Sequence, residues 1–320
     1  MPEQPEKGKG RVEVAQEVLE ETNEPAFDIA IDMALGYVPS AAELSTLEGS
    51  TEQEIGFIEK LHRIQPEIDA FLATMYTRFK DDTEQENIRA ALSLMIKLHI
   101  EQGDRSDTGI PFIGHPLAVA HDALNIMGDN EDTFYVCMAA LLHDAVEDQS
   151  RLLALEKKFA VEHRFKEGER EEMERAGAVG GLEWLFDRRV AFLVTSLTSP
   201  IKVEDLESEE KNKRYYEYVS GIFSNIDSSP SVVKWADLKQ NALTIGLIRQ
   251  KAEDARREGD SVVAQKLENT YGKLKKKYRP VLTMVKAFFE RLTDTQHPLY
   301  IFRDEALAAI NQTFATEYAA

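Results

Sequence analysis

The chain has 320 residues, of which 57 are Asp or Glu and 38 are Lys or Arg, giving a formal net charge of −19. That surplus excludes a nucleic-acid groove as the main function, because phosphate backbones are held by clustered Lys and Arg. It also repels any phosphate-bearing ligand, so such a ligand needs a bound cation or a local basic patch.

Residues 1–25 are polar, acidic and proline-bearing, and read as a disordered tail. They have neither the apolar centre of a signal peptide nor the low acidity of a transit peptide. No apolar run in the chain approaches the roughly 18 residues of a membrane span, so a cytoplasmic protein is expected. Over 26–88, PAFDIAIDMALGYV and TEQEIGFIEKLHRIQPEIDAFLATMYTRF place apolar residues three and four apart, which predicts a helical extension. Ser50 or Thr51 offers an N-cap with acidic residues in the next turn.

The segment 89–250 reads as the core. ENIRAALSLMIKLHIEQG is an amphipathic helix, DRSDTGIPFIGHP a loop, and LAVAHDALNIMG a helix with glycine near its end. DTFYVCMAALLHDAVEDQ then predicts one continuous helix. The single cysteine, Cys137, lies in its apolar part, so neither a disulfide framework nor a cysteine metal cluster can form within one chain. Residues 151–178 are charge-dense, and read as solvated helix and loop or as a lid. The basic Lys157, Lys158, Arg164, Lys166 and Arg170 in that segment are candidates for phosphate contacts or for a solvated face. LEWLFDRRVAFLVTSLTSP resumes the core pattern. Two helices follow, EEKNKRYYEYVSGIFSN and SPSVVKWADLKQNALTIGLI, joined by the turn-like IDSS. Over 251–320 two further helices are expected. Strand signals are poor throughout, so the fold class is all-α.

Three short stretches carry chemistry. In AALLHDAVEDQ, His143 and Glu147 are four apart, as are Asp144 and Asp148, so each pair shares a helix face. An ion pair at a polar helix end is one reading. The alternative is a cation site, because acidic groups follow an apolar core stretch with no Lys or Arg to balance them. In GIPFIGHP, Pro116 biases His115 away from helical dihedrals and fixes a histidine at a loop-to-helix junction. In VVKWADLKQNALT, Asp237, Asn241 and Thr244 lie on one helical stripe, with Asp237 near the core edge. Two imidazoles and two carboxylates form a mixed nitrogen and oxygen set suited to Mn²⁺, Fe²⁺, Mg²⁺ or Zn²⁺.

The order of GIPFIGHPLAVA, AALLHDAVEDQ, VAFLVTSLT and VVKWADLKQNALT, from about Ala90 to Ile248, resembles the HD-domain metal-dependent phosphohydrolases. Within that superfamily it looks most like the hydrolase domain of the RelA/SpoT class, which removes the 3′-pyrophosphate of the alarmone (p)ppGpp. The resemblance implies an HD helical bundle with added N- and C-terminal helices. It makes His115, His143, Asp144 and Asp237 ligands of one divalent ion, with Mn²⁺ favoured. Glu147 and Asp148 then match the acidic pair that positions and deprotonates the attacking water. Arg105, Asn241 and Thr244 match residues that hold the guanosine nucleotide.

The chain departs from that pattern at several points. The family carries an Arg-Lys pair before the His-Pro, whereas here Arg105 is followed by Ser106 and lies one residue further from His115. Gln149 replaces a common threonine, and the 151–178 connection is longer than usual. With about 70 residues after the hydrolase-like region, a stand-alone hydrolase with no synthetase domain is expected. Two alternatives stand beside it: an HD nucleotidase acting on another nucleotide, and a non-catalytic HD module that binds nucleotide or a partner. The aromatic cluster Tyr215, Tyr216 and Tyr218 is expected either to pack in the core or to face the base.

Overall fold

The computed structural model describes residues 25–37, 50–105, 109–153, 167–199 and 207–318. Among them are thirteen helices and no strand, with one isolated antiparallel bridge between Asp104 and Pro111. The fold is all-α, as the periodicity predicts. The acidic tail up to residue 24 lies outside the described residues, as do Ser106 and the stretch 154–166. Residues 154–166 of the lid reading therefore fall outside them, among them Lys157, Lys158, Arg164 and Lys166, whereas 167–178 belong to a helix.

Helix α1 (Pro25–Ala34) leads into α2 (Glu52–Arg78), which starts at a full capping box. The Glu54 amide donates to Thr51 Oγ1 at 3.2 Å, and the Thr51 amide donates to Glu54 Oε2 at 2.8 Å. Such a cap contributes about 1 kcal/mol. Phe57, Leu61, Ile64, Ile68, Phe71, Leu72 and Met75 form the buried stripe of α2. Helix α3 (Asp82–His99) starts at the Asp81 N-cap and ends its buried face on His99.

A turn after α3 fixes Arg105. Its amide donates to the Ile110 carbonyl at 2.9 Å, and Gly109 takes the positive φ of 75° that the return requires. Helix α4 (Gly114–Met127) begins one residue before His115, so the histidine sits inside the first turn and not in a non-helical junction. The His115 amide donates to the Phe112 carbonyl at 2.8 Å, and this tight turn outweighs the bias imposed by Pro116.

The predicted continuous helix around AALLHDAVEDQ is interrupted. Helix α5 (Thr133–Leu142) stops before His143, and α6 (Ala145–Asp148) restarts after Asp144, followed by α7 (Ser150–Leu153). A continuous helix would pair the Ala140 carbonyl with the Asp144 amide. Here the His143 side chain reaches that carbonyl through Nδ1 at 2.8 Å. From Val136 to Leu142 every residue of α5 is buried. Each of its fully buried leucines contributes about 1.5–3 kcal/mol of transfer free energy. The helix packs against α3, α4, α9 (Arg188–Leu197) and α11 (Ser229–Arg257), which makes it the central element.

Helices α8 (Glu167–Leu185) and α9 divide the LEWLFDRRVAFLVTSL run at the Asp187 N-cap, whose carboxylate accepts from the Arg189 amide. Helix α10 (Ser208–Phe223) turns through Asn225–Ser228 into α11, as the IDSS segment predicts. Helices α12 (Ser261–Arg291, with Pro280 inside it) and α13 (Arg303–Glu317) are the two expected at the C-terminal end. Helix α11 packs on α4 along one side and α12 along the other. That arrangement holds the Asp237 stripe against His115 and brings α12 to the same end of the bundle. No helix among the described residues is long and apolar enough to cross a membrane.

Candidate metal centre

Three chain segments converge at the heart of the bundle. His115 comes from the first turn of α4, His143 from the break after α5, and Asp237 from the buried half of α11. One ligand atom from each lies within 4.8 Å of the others, and all three residues are buried. His115 Nε2 stands 3.1 Å from Asp237 Oδ1, and His143 Nε2 stands 3.9 Å from the same oxygen. Asp144 falls outside that compact set but beside it, with Oδ1 3.2 Å from His143 Nε2 and Oδ2 3.8 Å from His115 Nε2. Its side chain is 24% exposed, which puts it on the open side of the centre. Three of the four expected ligands are thus brought together, with the fourth adjacent.

The donor set fits a divalent ion. His143 Nδ1 meets the Ala140 carbonyl, which can only accept, so that nitrogen carries the proton. Its Nε2 faces two carboxylates, 3.2 Å from Asp144 Oδ1 and 3.9 Å from Asp237 Oδ1, where a metal ion could take the place of a proton. At His115 the situation is reversed. Arg105 Nη1 lies 2.6 Å from Nδ1, and a guanidinium can only donate, so the proton of His115 sits on Nε2 facing Asp237. Coordination through Nε2 would move that proton to Nδ1, so it and the Arg105 contact exclude each other.

The two imidazoles differ in charge. Burial pushes His115 down to about 4, with the Arg105 charge adding to the effect, so it is neutral at pH 7. Burial also pushes His143 down, but the carboxylates of Asp144 and Asp237 outweigh it and raise it to about 9. Asp144 is held well below the usual carboxylate range: burial opposes this, and the His143 charge prevails. Asp237 behaves alike, with Lys234 as its strongest opposing charge. A cation entering the centre therefore competes with one proton on His143.

A chain of hydrogen bonds links the centre to its surroundings. Asn241 Nδ2 donates to Asp237 Oδ1 at 2.6 Å, and Arg105 Nη2 donates to Asn241 Oδ1 at 2.6 Å. Lys234 Nζ takes the other Asp237 oxygen, Oδ2, at 2.8 Å. Beside this chain opens a cavity of about 450 Å³ whose walls include Arg105, Asp148, Asn241 and Thr244. Three residues expected to hold a nucleotide and one of the expected acidic pair thus line one space. Glu147 is turned toward Ser199, whose amide donates to its Oε2 at 3.3 Å. The Thr244 hydroxyl donates to the Gln240 carbonyl at 3.0 Å.

Sequence reasoning missed several neighbours. Phe112, Leu274 and Tyr278 also wall the cavity, the last two from α12, which lies outside the region of resemblance. Their only signal is helical periodicity, which does not say which helix end they reach. His99 packs against Phe112 with its ring 5.1 Å from the Phe112 ring; it is buried, and burial pushes it down to about 4. The tyrosine cluster goes to the core. Tyr218 donates to the Leu197 carbonyl, Tyr215 packs edge-on against Tyr278 at 5.9 Å, and neither lines this cavity.

The chain is 24% identical over 203 residues to a guanosine-3′,5′-bis(diphosphate) 3′-pyrophosphohydrolase of Borreliella burgdorferi. It resembles a hydrolase at a distance. The matched region is 63% of this chain and 25% of that protein, so the chain spans about a quarter of the length of the relative. No family model matches the chain, and no solved structure matches it.

Proposed function

We propose that the chain is an HD-type metal-dependent phosphohydrolase that removes the 3′-pyrophosphate of a guanosine alarmone such as ppGpp. The observation that carries this reading is the convergence of buried ligand atoms from His115, His143 and Asp237 within 4.8 Å of one another, beside the cavity walled by Arg105, Asp148, Asn241 and Thr244. His115, His143, Asp144 and Asp237 would hold one divalent ion, with Mn²⁺ favoured. That ion supplies Lewis-acid charge that acidifies water and polarises a phosphoryl oxygen.

In this reading the water oxygen would bond to the 3′-linked phosphorus, and the bond from that phosphorus to the 3′ oxygen would break. The 3′ oxygen would take a proton from solvent, and GDP and pyrophosphate would separate. Glu147 or Asp148 accepts the proton that water gives up. Arg105 pairs with phosphate oxygens once freed from His115, and Asn241 and Thr244 orient the nucleoside. Lys234 and Arg105 also bring positive charge to a protein that otherwise repels phosphates.

Purified protein with Mn²⁺ and ppGpp should release GDP and pyrophosphate. Asp144→Ala should lose metal binding, whereas Glu147→Gln should keep the metal and lose turnover. Unchanged rates in both variants would sink the assignment. A second reading, an HD nucleotidase for a nucleotide with fewer phosphates, is favoured by one feature. Among the described residues Arg105 is the one cation walling the cavity, which also carries Asp104 and Asp148. A nucleotide panel scored for phosphate against pyrophosphate release decides between the two.

A further inference from the structure

We infer that Lys234 is a positioning residue that holds Asp237 Oδ2 and so leaves Oδ1 alone to face the cation. The inference rests on the reading of the His115, His143 and Asp237 cluster as a divalent-metal centre. Lys234 lies one helical turn before Asp237 on α11, and its Nζ is 2.8 Å from Oδ2. Both side chains are buried. The ring centres of Tyr215 and Tyr218 lie 5.5 and 5.3 Å from the ammonium. A lysine in the core is costly unless its charge is met at once, and Asp237 meets it.

The division of labour within the carboxylate points beyond simple neutralisation. The Lys234 pair is satisfied by Oδ2 alone and does not settle what Oδ1 faces. Yet Oδ1 is the atom that lies 3.1 Å from His115 Nε2 and 3.9 Å from His143 Nε2, and Asn241 steadies it from the side. With Oδ2 held by an ammonium, the carboxylate binds through one oxygen and fills one coordination position. A position that a two-oxygen grip would occupy stays available to water or a phosphoryl oxygen. The nearby positive charge also weakens cation binding and makes the bound cation a stronger acid toward water.

Lys234→Met removes the charge at nearly constant length, and Lys234→Arg keeps it. Chelator competition should show Lys234→Met binding Mn²⁺ about tenfold or more tighter than wild type, in the range of outer-shell substitutions at metal sites. In the Co²⁺-loaded variant the visible absorption should fall as Asp237 adds its second oxygen. The acidic limb of the kcat profile should move to higher pH. Lys234→Arg should stay within about threefold of wild-type affinity.

Equal or weaker Mn²⁺ binding by folded Lys234→Met, with an unchanged Co²⁺ spectrum, overturns the inference. If Lys234→Met does not fold, a structure of Mn²⁺-loaded wild type decides: Oδ1 alone on the ion supports the inference, and both oxygens on the ion overturn it. Failure of the wild type itself to bind Mn²⁺ or Co²⁺ sinks the metal-centre reading. Wild-type binding with an unresponsive variant sinks only the role of Lys234.

Discussion

Two charge clusters in this protein tie helices together, and they are built on opposite plans. At one, Arg189 of α9 donates to Asp132 and Asp227 at 2.5 Å each, while Ser229 bridges to Asp132 at 2.9 Å and its amide donates to Asp227 at 3.0 Å. The network is closed: its charged groups answer one another, and its members keep some contact with water. At the other, the centre around Asp237, two imidazoles, two carboxylates, Lys234 and Arg105 interlock, and ligand atoms of His115, His143 and Asp237 converge within 4.8 Å. What separates the two is the convergence of three buried ligand atoms, two of them imidazole nitrogens, on one point.

Substitutions should sharpen that contrast, and the largest effect is expected at the centre. Asp237→Ala removes an oxygen ligand and strands Lys234 in the core, so metal affinity should fall by at least about a hundredfold and stability by roughly 3–5 kcal/mol. Calorimetric metal titration and urea unfolding measure the two losses separately. Glu147→Gln should lower kcat about a hundredfold or more with Mn²⁺ affinity unchanged, as loss of a general base does. Arg189→Ala should cost about 2 kcal/mol in urea unfolding and leave Mn²⁺ affinity untouched. A change in affinity there would erase the distinction between the clusters.

A smaller effect follows from pH. His143 is raised to about 9 while His115 is lowered to about 4, so between these values a cation must displace one proton, the one on His143. Affinity for Mn²⁺ should therefore rise about tenfold per pH unit from pH 7 and level off near 9. A flat profile over that range would mean that His143 is not a ligand. The smallest change is expected at the cavity wall, where Thr244→Val should raise KM only severalfold, by about 1 kcal/mol, with kcat kept.

Part of this was legible without coordinates. The apolar spacing around Phe57–Met75 and Val136–Leu142 marks buried helix faces, and the all-α class follows from that period alone. His115, His143, Asp144 and Asp237 were legible as a candidate ligand set from their residue types together with the motif resemblance. The break that spans His143 and Asp144 was not readable, since it depends on a side chain competing for the Ala140 carbonyl. Nor was the turn that puts His115 inside α4. Local preference for Pro116 pointed the other way, and the Phe112 contact overrode it.

What the sequence determined by itself is therefore the class of fold and the kinds of atom available for chemistry, because hydrophobic period and residue type are local properties. Only the tertiary structure decided how those atoms are shared. It gave one Asp237 oxygen to Lys234 and the other to the imidazoles, set Arg105 between His115 and Asn241, and brought Tyr278 and Leu274 from α12 to the cavity. Those assignments depend on distances between segments far apart in the chain. The packing of α11 against α4 on one side and α12 on the other is what fixes them.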